Sequence, residues 1–331
     1  MIDKTKNSPH EVVTASDQVK HNYYGRPMMK GSHWRWLVIN YFFLAALTGT
    51  SAAIATLAEF FGKDRTLSRY ARYFSLATVI PAPILLAYDL GRPDRAFYMF
   101  RILKLRSAMS LGSWALLLHG LSAGLIACLQ LLADVTKRDT LGGLRRFLGV
   151  ASMPISMFVS GYTGVLLATT NVPLWARPYL LMGPTFLTSA FSSSLSALSL
   201  LLGVLGKERP RTARSLARAE TVCLVAELGL LVAGILKLGK LGKPLTAGRH
   251  GRIFWPVTFV GGVVVPLLLH LSGARDEHPT PRRRAVASVL VLIGGYALRA
   301  LMIFAGKESA DVPEYYMEYT RSPANGRNGQ P

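Results

Sequence analysis

The chain has 331 residues, 50% of them hydrophobic, a mean hydropathy of +0.30 and a formal net charge of +20. That hydropathy, held over that length, excludes an ordinary soluble domain. The charge lies almost wholly in short loops and tails between apolar runs, with no basic–aromatic module, and this pattern excludes nucleic acid as the partner.

In chain order, residues 1–35 are polar and charged, and no apolar core follows Met1. They read as a tail rather than a cleaved signal peptide, with the first apolar run acting as an uncleaved anchor. Eight apolar runs follow, at roughly 36–58, 73–90, 110–132, 147–168, 186–206, 219–236, 254–272 and 285–305. Each has about 20 residues, enough to cross a hydrocarbon core of roughly 30 Å at about 1.5 Å per residue. The runs are too long and too unalternating for barrel strands. The expectation is therefore an all-α integral membrane protein with eight transmembrane helices in one domain, residues 36–306, followed by a polar tail, 307–331.

Eight spans put both termini on one face. Loops one, three, five and seven carry 17 Lys+Arg, against 11 in loops two, four and six. The positive-inside bias places the first set in the cytoplasm and the termini outside. Span one reads FFLAALTGTSAAIA from Phe42, and span five reads TFLTSAFSSSLSAL from Thr185. Small residues let membrane helices approach and hydroxyls bond across the contact. The likeness predicts two four-helix bundles related by a repeat; a chance likeness of two small-residue interfaces gives the same pattern.

Ionisable groups inside spans are few, so each is a functional candidate. They are His119 in span three, Glu227 in span six, His270 late in span seven and Arg299 in span eight, with Asp89 closing span two. Glu227 and Arg299 are the costliest. They form either one buried ion pair or part of a proton route, on which His119 is a further candidate. His119 and His270 lie at different depths, which argues against a haem held between helices. Cys128 and Cys223 are the only cysteines. An iron–sulfur cluster takes about four thiolates, so the chain holds none of its own, and no metal site is expected.

Asp89 opposes the dipole at its helix C-terminus and needs stabilisation from elsewhere. Gly91 permits the positive φ of a C-cap and Pro93 stops the helix. Across that turn Arg92 or Arg95 is the expected partner. The same arginines are candidates for docking another subunit.

YDLGRPDRAFYMFR (Tyr88–Arg101) followed by RSAMSLGSWAL (Arg106–Leu116) resembles the signature of the NrfD/PsrC-like membrane subunits of polysulfide-reductase-type complexes. YFFLAALTGTSAA, GYTGVLLATTNVPLW (Gly161–Trp175), PTFLTSAFSSS (Pro184–Ser194) and LIGGYALRALMIFAG agree, in the right order, over almost all of 36–306. The resemblance implies a haem-free, quinone-reactive subunit in a bacterial inner membrane, inactive alone. It exchanges electrons between menaquinone or ubiquinone and a peripheral subunit with four [4Fe–4S] clusters, often with a molybdopterin catalytic subunit beyond. The implied quinone pocket lies at the start of span one and the YTG stretch of span four, which carries over to Tyr41 and Tyr162. A family member has histidine where this chain has Tyr41 and asparagine where it has Val38, so the proton acceptor does not carry over. On the residues alone, tyrosine hydroxyls suit a quinone head at an apolar wall. Asp89, on the same face, is the candidate acceptor of the quinol proton. A secondary transporter and a structural anchor without a working quinone site are the competing readings.

Overall fold

The computed structural model describes residues 34–62, 64–91, 93–273 and 281–321. Among these, eight helices are long and apolar enough to cross a membrane: Trp36–Gly62, Arg65–Asp89, Ala108–Thr136, Gly142–Ala168, Tyr179–Val204, Pro210–Thr246, Gly248–Ser272 and Pro281–Asp311. They are spans one to eight below. Each is longer than the apolar run that announced it, because polar end turns carry the helix past the hydrocarbon. Two of those ends are capped by side chains. Asp64 accepts from the backbone N–H groups of Thr66 and Leu67, and Ser107 accepts from that of Ser110.

Span one packs on spans two and four, and span three completes that group against two and four. Span five packs on six and eight, and span seven fills the second group against six and eight. The fold is thus two four-helix bundles, joined where spans one and four meet span five. The repeated segments lie at this junction. Thr50 Oγ1 and Ser194 Oγ are 2.6 Å apart, Thr50 donates to the Ala190 carbonyl and Ser194 to that of Leu47. Gly49 lets span one close onto span four, where any Cβ would strike the Ser156 carbonyl.

Prolines set the irregularities. Span two breaks between Val79 and Pro81, and spans four and five carry Pro154 and Pro184 internally. In span seven a π-helical stretch, Phe254–Val264, contains Pro256 and brings Gly262 against Gly294 of span eight. The last span runs on to Asp311 and a short helix, Pro313–Arg321, follows, with Tyr315 and Tyr319 against the core. The tail expected from residue 307 therefore begins as packed helix.

Candidate functional site

The terminal face holds the start of span one and the end of span eight. Four spans bring candidate residues to it. Tyr41 lies in the second turn of span one, Asp89 ends span two, Ala108 and Gly112 open span three, and Tyr162 lies near the end of span four. Both tyrosines are buried. Tyr162 donates to the Ala108 carbonyl at 2.5 Å, and its ring lies where a Cβ on Gly112 would be. The two phenols are close enough to act on each other electrostatically. Phe42 flanks Tyr41 with ring centroids 5.8 Å apart, and Phe158 flanks Tyr162 at 5.4 Å. The result is an apolar wall tipped with two hydroxyls. The Tyr162 oxygen, though it donates to Ala108, keeps acceptor capacity for a further donor.

Asp89 is half-buried and is followed by the expected turn. Gly91 has φ 70°, and a 3₁₀ helix, Pro93–Phe100, starts two positions on. Asp89 lies in electrostatic reach of Lys307, which donates to the Trp34 carbonyl and also lies near Arg35 and Asp311. Arg95 reaches Asp94 at 4.0 Å, both well exposed. Arg92 lies outside the described residues. Beside this group Trp34 stacks on Trp175 at 5.5 Å, and Trp175 donates to the Met302 carbonyl at 2.7 Å. Spans one and eight are thereby fixed together behind Asp89.

His119 lies deeper in the first bundle, in a cage of hydroxyls. Its Nε2 is 3.0 Å from Thr48 Oγ1 and its Nδ1 is 3.1 Å from Ser156 Oγ, while Thr48 also donates to the Ser75 carbonyl. Toward the opposite face a cavity of about 10 Å³, lined by Thr56, Arg72, Ser75 and Ser152 among others, has room for one water. Beyond it the bundle closes in a collar of charge. Glu59 takes Arg72, Arg145 at 3.4 Å and Arg146 at 3.2 Å. Arg145 also holds Asp139, and Arg72 donates to Gln130.

The second bundle is built differently. Ser192 donates to Glu227 at 2.7 Å, and Arg299 donates to Ser189 at 3.3 Å and to the Gly295 carbonyl at 2.7 Å. The Arg299 guanidinium also lies over the rings of Phe43 and Phe186, each centroid 5.6 Å away. Glu227 and Arg299 thus occupy one polar layer linked through serines of span five, not a direct ion pair. Two turns along span six, Glu220 accepts from Ser196 at 2.5 Å and lies 3.3 Å from His270 Nε2. Glu220 lies at the very start of the apolar run that begins at residue 219, yet it is only 1% exposed. The spacing of seven residues between Glu220 and Glu227 was the available signal, since it places both on one helix face. Lys307, Glu59 and Arg72 were missed because the apolar runs end short of them. Among the described residues, no three His, Cys, Asp or Glu side chains converge as metal ligands would.

These features define a polytopic helical membrane protein with a polar site at one end of its first bundle and titratable groups buried in its second. The chain belongs to the NrfD family, described as polysulphide reductase, NrfD, whose model matches residues 26–309. It is 24% identical over 305 residues to the protein NrfD homolog of Haemophilus influenzae, covering 83% of this chain and 94% of that one. It is 25% identical over 332 aligned positions to a putative membrane subunit of dimethyl sulfoxide reductase from Halobacterium salinarum, covering 89% of this chain and 74% of that one.

Proposed function

We propose that this chain is the membrane subunit of a redox complex and exchanges electrons between the quinone pool and a peripheral iron–sulfur subunit of four clusters. A molybdopterin subunit beyond that one carries the terminal chemistry. The observation that carries the reading is the convergence of Tyr41, Tyr162 and Asp89 on one end of one bundle, in a family that includes a relative named as a reductase membrane subunit. The surplus of Lys and Arg in loops one, three, five and seven supports an inner-membrane placement with periplasmic termini.

A bound quinol supplies two electrons and two protons. Tyr41 and Tyr162 hold its head and the apolar wall excludes water from it. Asp89, at the mouth, receives the two protons one after the other and releases each to water, with Lys307 balancing its charge and the Gly91 turn fixing its place. Arg95, exposed on the 3₁₀ helix, meets the partner subunit.

Asp89→Asn tests the assignment. It keeps shape and much of the hydrogen bonding but removes the base. Quinol-driven reduction of the iron–sulfur partner in the assembled complex should fall by about 10²–10⁴-fold, with binding of a quinone analogue little changed. Normal turnover in a correctly assembled complex would end this role for Asp89. Arg95→Ala should lower recovery of the partner without changing turnover per assembled complex.

A further inference from the structure

The two bundles differ in how their interior could pass a proton. In the first, His119 is separated from the opposite face by Arg72, which lines the intervening cavity and sits in the Glu59 collar. An arginine stays charged throughout the folded range and repels an arriving proton. In the second bundle, the groups between the opposite face and mid-membrane each take up and release a proton or relay one.

His270 lies within one turn of the end of span seven at that face, and its side chain is 6% exposed. Its Nε2 is 3.3 Å from Glu220 Oε1, which accepts from Ser196 at 2.5 Å. Ser192 lies one turn further along the same face of span five and donates to Glu227 at 2.7 Å. The interval from Ser196 to Ser192 is about 6 Å of helix rise, which one bridging water spans. Polar atoms left without hydrogen bonds mark this stretch: His270 Nε2, Ser193 Oγ beside Ser192, and Arg299 Nε at the inner end. Buried orphans of this kind are ordinarily met by water. The titratable and charged groups facing Glu227 are Glu220 and Cys223 on its own helix and Arg299 from span eight; span seven contributes His270, through Glu220.

We propose that the second bundle is a proton half-channel running from the opposite face through His270, Glu220, Ser196 and Ser192 to Glu227, where Arg299 ends it. A proton from water is taken by His270 and passed to Glu220. The Ser196 hydroxyl accepts it and releases its own, and the bridging water and Ser192 repeat the exchange until it rests on Glu227. No electron moves in these steps. Arg299, held by Ser189 and the Gly295 carbonyl, holds positive charge beside the last carrier and stops the proton there.

The half-channel stands apart from the redox reading and is tested on the full chain in lipid vesicles, without quinol or partner. Infrared spectra across the pH range should show the carbonyl stretch of a protonated buried carboxyl that disappears in Glu227→Gln. On a jump from H₂O to D₂O that band should shift, and the shift should be about tenfold slower in Ser196→Ala and in Glu220→Gln. Ser113→Ala, in the first bundle, should leave the rate unchanged. If Glu220→Gln yields no folded protein, Ser196→Ala decides alone. The half-channel is overturned if no band is lost in Glu227→Gln at any pH, or if exchange is as fast in Ser196→Ala as in the unmodified chain.

Discussion

The first bundle keeps its charges at its ends and the second keeps them inside. In spans one to four the arginines and carboxylates gather in the Glu59 collar at one face and around Asp89 at the other, leaving one histidine in a hydroxyl cage between. In spans five to eight two carboxylates and an arginine lie among serines within the bundle. The likeness between spans one and five therefore extends to shape and not to chemistry. A shared small, hydroxyl-bearing surface lets the bundles meet, while the other six helices are free to differ. The difference teaches that a buried ionisable group is tolerated in two ways. In the first bundle opposite charges neutralise one another near water; in the second, hydroxyls solvate them at depth.

The largest effect that would sharpen this contrast is loss of the collar. Glu59 is 9% exposed and is the common partner of Arg72, Arg145 and Arg146. Glu59→Ala leaves the buried Arg72 without its carboxylate, and the expected cost is about 3–5 kcal/mol. Arg146→Ala removes only the half-exposed partner, for which about 0–1 kcal/mol is expected. Thermal unfolding of the two variants in one detergent should rank them far apart. If Glu59→Ala melted beside Arg146→Ala, the collar would be surface decoration and the contrast between bundles would lose one side.

A smaller effect separates the bundles by packing. Gly112 gives its place to the Tyr162 ring, so Gly112→Ala forces spans three and four apart at the candidate quinone site. Overpacking of this kind costs about 1–3 kcal/mol, and here it should also weaken binding of a quinone analogue. Gly229, on span six, has nothing within 4 Å of an added Cβ. Gly229→Ala should be neutral or stabilise by up to about 1 kcal/mol, through the lower helix propensity of glycine. Unchanged analogue binding in Gly112→Ala would mean that the tyrosine does not define the pocket.

The fold was largely legible in the sequence because the bilayer imposes one rule, about 20 apolar residues per crossing, and the described residues obey it eight times. The two bundles were legible from the FFLAALTGTS and TFLTSAFSSS segments, whose hydroxyls do meet. The site was legible only in part. Tyr41, Tyr162 and Asp89 share a face because the spans alternate in direction, which counting alone predicts. What counting does not reveal is depth at helix ends. Polar residues that extend a helix beyond its apolar run, such as Glu59, Arg72 and Lys307, look like loop or tail until neighbouring helices cover them. Likewise the Glu227–Arg299 relation turns on which serines of span five stand between them, and that is set by tertiary packing.

The smallest predicted effect is a difference in pH response between two loop carboxylates. Asp139 precedes span four and Glu208 precedes span six. Hydrogen bonds from Arg145 hold Asp139 below its usual range, with further help from the charges of Arg145 and Arg146. Burial pushes Glu208 above its usual range, only partly opposed by Arg284, 2.7 Å away. The signs follow from linkage. Asp139 binds its proton less readily folded than unfolded, so it contributes stability above its unfolded pKa, which is lost as pH falls through the folded value. Glu208 binds its proton more readily folded than unfolded. Its contribution is full below its unfolded pKa and fades as pH rises through the folded value. Asp139→Asn should therefore flatten the acid limb of the melting-temperature profile, and Glu208→Gln should remove a loss that sets in at mildly acid pH. Asp139 is 42% exposed, so solvent screening keeps its effect small. The two variants should bend the profile in opposite directions between about pH 3 and 6, the span around ordinary carboxylate values. Bending in the same direction would show that the two loops, unlike the bundles they serve, treat buried charge alike.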